Sequence, residues 1–318
     1  MFTDAATTTL LGVDLYLYGV FVSLGVLSAG ILLLILSKHD EASKNAAALT
    51  LLLSPALGLL VARLLYCLTD ATFAEVLSLR AVFQLSSGGF AMYGALSGAV
   101  AGAWIAAKVS GKAPKAWLDM VAPALMLFVF FARLGEGYTA LGTSRPLIGN
   151  GWTNSFLIIQ DEYDSYFKVY LLEAAAALVL CAVLLYLSRK KKAGEPFLTG
   201  CLLYGLSQTV FESLRSDRQM AFSLVCLQHV LSAVLFSAVV VLAAIRLLKA
   251  GKSRRFAVTS MASLPLLVAV IIGLEFVIDR SSLSKWISYA IYVILLMWPG
   301  YAGLRMIREG NRHDKRTA

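Results

Sequence analysis

Arg133 ends a long apolar run, LDMVAPALMLFVFFARLGEG, and Glu136 follows it three residues later. A cation in such a run needs a partner, a cavity or a helix-end route to the interface. Further ionisable residues stand near the ends of other apolar runs: Arg63, Glu173, Glu212 and Arg215. His229 falls about eight residues into the run beginning at 221, roughly 12 Å along a helix at 1.5 Å per residue. Cations beside carboxylates in an apolar setting suit an anionic ligand, and the phosphate of a phospholipid is the obvious candidate. Each residue also has a plainer reading. Arg63 suits an interfacial anchor, Glu212 and Arg215 suit an i,i+3 pair, and His229 suits a satisfied core histidine. The gathering as a whole asks for a site, because intramembrane ionisable groups cost a few kcal/mol each and usually face a cavity.

The elements that position these residues are long apolar segments. The chain has 318 residues, of which 59% are hydrophobic and 15% charged, against about 45–50% and about 25% in soluble domains. Mean hydropathy is +0.76. Runs near 20 residues have the length of membrane helices, about twice that of barrel strands. The expected fold is an all-α polytopic membrane protein with nine spans, at 15–37, 46–68, 89–108, 116–134, 167–187, 198–214, 221–248, 256–278 and 284–305. The first run lacks a basic leader and is long enough to span, so it reads as a span rather than a cleaved signal. The four cysteines, Cys67, Cys181, Cys201 and Cys226, show no metal spacing and no disulfide framework. No metal or cofactor is expected.

The net charge of +9 does not point to nucleic acid, because 19 of the 28 Lys and Arg lie in alternate short loops and the C-terminal tail. The positive-inside rule makes that side cytoplasmic, with the N-terminus outside and the C-terminus inside. The two longer loops, 69–88 and 135–166, then face outward, and Arg63, Tyr93, Arg133, Glu136, Glu173, Glu212, Arg215 and His229 share the outer half of the bilayer. Loops of the second one's length are often functional, and a lid-like connector is the plainer reading. Gly94, Gly98 and Gly102 form a small-xxx-small ladder suited to close helix packing. Ser86, Ser87, Gly88 and Gly89 precede it as a flexible entry where a headgroup could approach backbone N–H groups. Segment 251–255 divides a seven-span body, 1–250, from a final two-span hairpin with a basic tail, 251–318.

These residues carry a resemblance. SSGGFAMYGALSGAVAG resembles the GGxSFHGGLIG region of bacterial prolipoprotein diacylglyceryl transferases, and FFARLGEGYTALG resembles their signature GRxGNFxNxE. VYLLEA is similar to QLYEA, YGLSQTVFESLRSD to YGxxRFxxEFxRxPD, VARLLYCL to GARLGYVLF, and QHVLSA to GQxLS. DLYLYGVFVSLG, with Tyr18 and Gly19, matches the first-span pattern. The matches keep family order over roughly 14–248. Several positions depart: Tyr93 replaces the family histidine, Glu136 an asparagine and Gln208 an arginine, and the signature's later Asn and Glu are missing.

The resemblance implies transfer of a diacylglyceryl group from phosphatidylglycerol to the lipobox cysteine of a prolipoprotein, without a cofactor, in the bacterial cytoplasmic membrane. It implies membrane lipids and the lipobox peptide as partners. Arg133 would hold the donor phosphate, with Arg63 or Arg215 as second cation. Glu212 would be the base or orienting carboxylate, Tyr93 stands in the histidine's place, and His229 offers a replacement imidazole. Tyr18, Gly94, Gly98, Glu136 and Glu173 would complete the substrate site. Two other functions fit the same residues: an altered or inactive relative that binds lipid or a partner, and a transporter of a small anion or lipid.

Overall fold

A computed structural model of the chain describes residues 7–10, 13–69, 82–83, 88–139, 141–147, 155–160, 163–190, 193–217, 221–222, 225–280 and 285–311. Ser86 and Ser87 lie outside them. Among the described residues nine long helices stand where nine spans are expected: α1 (Leu17–Ser37), α2 (Glu41–Thr69), α3 (Met92–Val109), α4 (Pro114–Gly135), α5 (Val169–Lys190), α6 (Glu195–Leu214), α7 (Leu227–Lys249), α8 (Arg254–Arg280) and α9 (Lys285–Asn311). Seven are long and apolar enough to cross a membrane; α3 and α6 are outside that set. Glycines dilute the hydropathy of α3, and Thr199, Gln208, Thr209 and Glu212 that of α6. Leu27, Ile31, Leu52, Val179 and Leu266 turn outward from their helices, as side chains do against lipid. This is a multi-pass membrane protein.

Three small antiparallel ladders interrupt the helices: β1 (Thr7–Leu10) with β2 (Val13–Tyr16), β3 (Ile158–Gln160) with β4 (Ser165–Phe167), and β5 (Ala221–Phe222) with β6 (Val225–Cys226). They correct two expected boundaries. The first helix starts at Leu17 and the seventh at Leu227, because the residues before each pair as strands. His229 therefore stands in the first turn of its helix rather than eight residues in.

The chain forms two compact units. The first comprises residues 1–189 and 214–228. Its α2 and α3 lie backbone to backbone. A Cβ added to Gly94 would meet Ala62 Cα at 2.6 Å, one on Gly98 would overlap Leu57 O, and one on Gly102 would meet Ser54 Cα at 2.8 Å. Ser54 Oγ donates to Ala99 O (2.8 Å) across this seam. Gly25 gives α1 a similar approach to Phe128 of α4. One end of the unit is filled by Leu33, Ala47, Ala103, Val121 and Ala124 around Trp117, whose indole donates to Thr50 Oγ1 (3.1 Å).

The turns at that end follow from local chemistry. Asp40 caps α2 by accepting from Ser43 N at 2.8 Å. A hydrogen bond from Lys112, then those from Ser43, hold the Asp40 carboxyl down to about 2, so the cap stays ionised until pH falls to that value. Gly111 takes the left-handed conformation after α3, with Gly111 N bonded to Lys108 O and Lys112 N to Ala107 O. This pair of bonds satisfies two orphan carbonyls. Pro114 then opens α4 where no N–H is missed.

The second unit comprises residues 190–213 and 229–318. Leu202 of α6, Phe236, Val240 and Leu247 of α7, and Tyr292 and Met306 of α9 are fully buried in one core, with Leu264 and Ile271 of α8 beside them.

The α2–α3 seam yields a stability test. Gly98→Ala should cost about 1–3 kcal/mol by overpacking against Leu57, whereas Gly273→Ala, which meets nothing within 4 Å, should be neutral or slightly stabilising. Thermal unfolding in detergent micelles reads both.

Candidate lipid site

Four side chains of the first unit form a closed ring of alternating charge. Arg133 Nη1 lies 2.5 Å from Glu136 Oε1, and Arg133 Nε lies 2.7 Å from Glu173 Oε2. Arg215 Nη1 closes the ring at 2.9 Å from Glu136 Oε2 and 3.0 Å from Glu173 Oε2. Asp217 grips Arg215 from outside the ring, accepting from Nε at 2.9 Å and Nη2 at 2.6 Å. All four ring residues are buried. The ring is formally neutral, and Asp217 adds one negative charge.

Three separate pieces of chain supply it. Arg133 comes from the last turn of α4 and Glu136 from the 3₁₀ turn Glu136–Tyr138 after it. Glu173 comes from the second turn of α5, and Arg215 follows α6 in the chain. Glycines clear the space. A Cβ on Gly142 would sit 2.7 Å from Glu136 Oε2, and one on Gly135 would sit 2.9 Å from Phe21 Cβ. Arg215 is then fixed through its backbone, which bridges to Ser144, while Ser216 N donates to Thr143 O (2.9 Å). Ser144 N in turn donates to Phe167 O (2.9 Å) and Ser144 Oγ accepts from Phe167 N (2.8 Å). The described part of the 135–166 segment is thus a buttress for Arg215.

Arg133, Glu136 and Arg215 stand at one end of a cavity of about 380 Å³ between α1, α2, α3 and α4. Tyr18, Gln228 and Phe90 share that end. Val26, Leu59, Ala95 and Phe128 line the middle, and Leu33, Thr50 and Val121 the far end. A site with a polar head and a long apolar body suits an amphiphile.

The remaining candidate residues lie outside the ring. Arg63 is buried, and its guanidinium donates to Gly88 O and to Gly89 O (3.1 Å) while flanked by the Tyr66 and Phe90 rings. It ties α2 to the entry of α3. Gly94 and Gly98 face the α2 backbone. Tyr93 is half-buried on the first turn of α3, where Met92 and Ala95 line the cavity. Glu212 is buried on α6, in the second unit. His229 is buried there too, with Nε2 2.8 Å from Tyr292 Oη. The sequence reading did not single out Asp217, Gly142 or Gln228. Asp217 lay within the quoted SLRSD stretch, and an acid two residues after a buried arginine is the signal that marks it.

A family profile described as prolipoprotein diacylglyceryl transferase matches residues 6–249. The chain belongs to this family. It is 27% identical over 212 residues to the phosphatidylglycerol–prolipoprotein diacylglyceryl transferase of Clostridium tetani, covering 65% of this chain and 84% of that one. It is 24% identical over 216 residues to the enzyme of the same name from Finegoldia magna, covering 67% and 84%. Against the Bacillus licheniformis protein of that name, identity is 31% over 182 residues, 55% of this chain and 67% of the relative. The family match takes in the whole ring and the cavity, and it ends before α8 and α9.

Removing one member of a buried ion network leaves its partners uncompensated, at a cost of about 3–5 kcal/mol. Glu173→Gln should therefore lower the unfolding free energy by roughly that amount, and Asp217→Asn by less because its side chain is more exposed. Chemical denaturation in mixed micelles measures both.

Proposed function

We propose that this chain transfers a diacylglyceryl group from phosphatidylglycerol to the lipobox cysteine of a prolipoprotein, in the bacterial cytoplasmic membrane with the site toward the outer leaflet. In this reading the N-terminus is outside, the C-terminus is cytoplasmic, residues 1–250 form the transferase domain and 251–318 an appended hairpin. The observation that carries it is the ring of two arginines and two glutamates at the head of a long apolar cavity, within the segment that matches the family.

The reaction joins the cysteine sulfur to the glycerol carbon that bears the phosphate. The carbon–oxygen bond breaks, glycerol phosphate leaves with the electron pair, and the thiol proton passes to a base. The free thiol, with a pKa of about 8.5, needs that base at neutral pH. Arg133 and Arg215 would hold the phosphate and stabilise the charge it gains. Because both already face carboxylates, the phosphate enters by exchange. It takes guanidinium N–H groups from Glu136, the ring carboxylate that lines the cavity, while Glu173 keeps both arginines in place from behind. Glu136, released from the guanidiniums, could then take the thiol proton. Glu212 and His229, the other acid–base groups expected from the sequence, belong to the second unit; Tyr93 is a poor base because a phenol ionises near pH 10. Tyr18 would border the headgroup. Arg63, Gly94 and Gly98 would act by holding α2 and α3 in register beside it.

A second reading, a relative that keeps the lipid and makes no transfer, is favoured by one observation: Glu136, at the family's asparagine position, neutralises both arginines. One assay separates the two. Membrane-embedded protein is incubated with phosphatidylglycerol and a lipobox peptide, and mass spectrometry seeks the diacylglyceryl thioether. Transfer predicts product in the wild type and a loss on the order of 100-fold or more in Arg133→Ala at equal protein level. Lipid retained on the purified protein with no thioether would establish the binding reading instead.

A further inference from the structure

The apolar body of the cavity ends in a wall. Leu33, Val121 and Ala124 line it and also belong to the close-packed cluster around Trp117. Thr50, beside them, has its hydroxyl engaged twice, accepting from Trp117 Nε1 at 3.1 Å and donating to Ala46 O at 2.7 Å. Leu33, Trp117 and Val121 are 3% exposed or less. Such packing does not yield to a longer ligand without strain.

The distance from head to wall can be measured along three helices. From Tyr18 to Leu33 on α1 is 15 residues, about 22 Å at 1.5 Å per residue. From Ala62 to Thr50 on α2, and from Arg133 to Val121 on α4, is 12 residues each, about 18 Å. One leaflet supplies about half of the ~30 Å hydrocarbon core. The cavity is therefore as deep as one full acyl chain plus the glycerol that joins it to the phosphate. Ala29 is the small residue on the α1 side one turn before the wall, and the space beside Gly30 is taken by Leu51 Cδ2, 2.9 Å from where a Cβ would stand.

We propose that the wall formed by Leu33, Thr50 and Val121, with Ala29 before it, sets the longest acyl chain that the donor phospholipid can carry. This selectivity rests on the transferase reading for its consequence in the product, though not for the binding itself. A chain within the limit lies in the cavity with its phosphate at Arg133 and Arg215. A longer chain pushes the headgroup away from the two guanidiniums, so length is read out as misplacement of the reacting end.

The test uses the full chain in nanodiscs holding an equimolar mixture of phosphatidylglycerols with saturated chains of graded length. Two readouts are taken: the acyl composition of the thioether formed on a lipobox peptide, and the composition of phospholipid retained on the purified protein in native mass spectrometry. Ala29→Leu, which narrows the approach to the wall, should cut the share of the longest accepted chain at least fivefold in both readouts. Leu33→Ala, which opens the wall, should shift both toward longer chains. Thermal unfolding shows that each variant is folded, and Ala29→Val replaces a variant that is not. Chain profiles that match the wild type in folded variants would overturn the proposal. A shift in retained lipid with no thioether from any form would uphold the wall and overturn the transferase reading.

Discussion

Two guanidiniums and two carboxylates buried within a membrane protein are tolerable only as an alternating set. Each charge removed from water costs several kcal/mol, and only close opposite charges return it. The ring of Arg133, Glu136, Arg215 and Glu173 satisfies that condition with four contacts of 2.5–3.0 Å. Much of the first unit's local detail follows from the need to complete it. Gly135 and Gly142 are small because α1 and the Glu136 carboxylate occupy their Cβ positions. Thr143 and Ser144 form isolated bridges rather than part of a helix, and through them segment 141–147 holds residues 215 and 216.

The ring also decides what the cavity can bind. A bare pair of arginines would attract any anion. A neutral ring admits an anion only if it can exchange with a carboxylate, which favours a ligand held by other contacts as well. In the proposed reading the long apolar body would supply those contacts, so the headgroup and the chain would act together. Rigid donors already in place need little reorganisation when charge develops on a leaving phosphate.

The second unit follows a different rule. Its core draws on α6, α7, α8 and α9 alike, so the two helices beyond the family match are built into it. Tyr292 of α9 is fully buried, lies 2.8 Å from His229 and donates to Thr209 O at 3.3 Å. Tyr289, one turn earlier, donates to Ser213 O at 3.1 Å in the last turn of α6, where no further helical N–H follows to satisfy that carbonyl. The histidine expected as a possible base is thus a hydrogen-bonded member of this core.

Helix number and position were legible in the sequence, because apolar length is a local property. Among the described residues nine runs became nine helices, and the differences lie at ends such as 221–222 and 225–226, where residues of span-like hydropathy pair as strands. Arg133, Glu136, Glu173 and Arg215 were legible as candidates, since a charge in an apolar run is conspicuous wherever it folds. Their pairing was not, because ion-pair geometry depends on where distant segments end. Glu136 and Arg215 are 79 residues apart in the chain and 2.9 Å apart in space. The same holds for Arg63, which the resemblance offers as a second phosphate ligand and whose guanidinium donates to the carbonyls of Gly88 and Gly89. The sequence by itself determined which residues would have to be rescued from the membrane interior. Only the tertiary structure decided which of them rescue one another, because a Coulomb partner is chosen by distance in space and not by position along the chain.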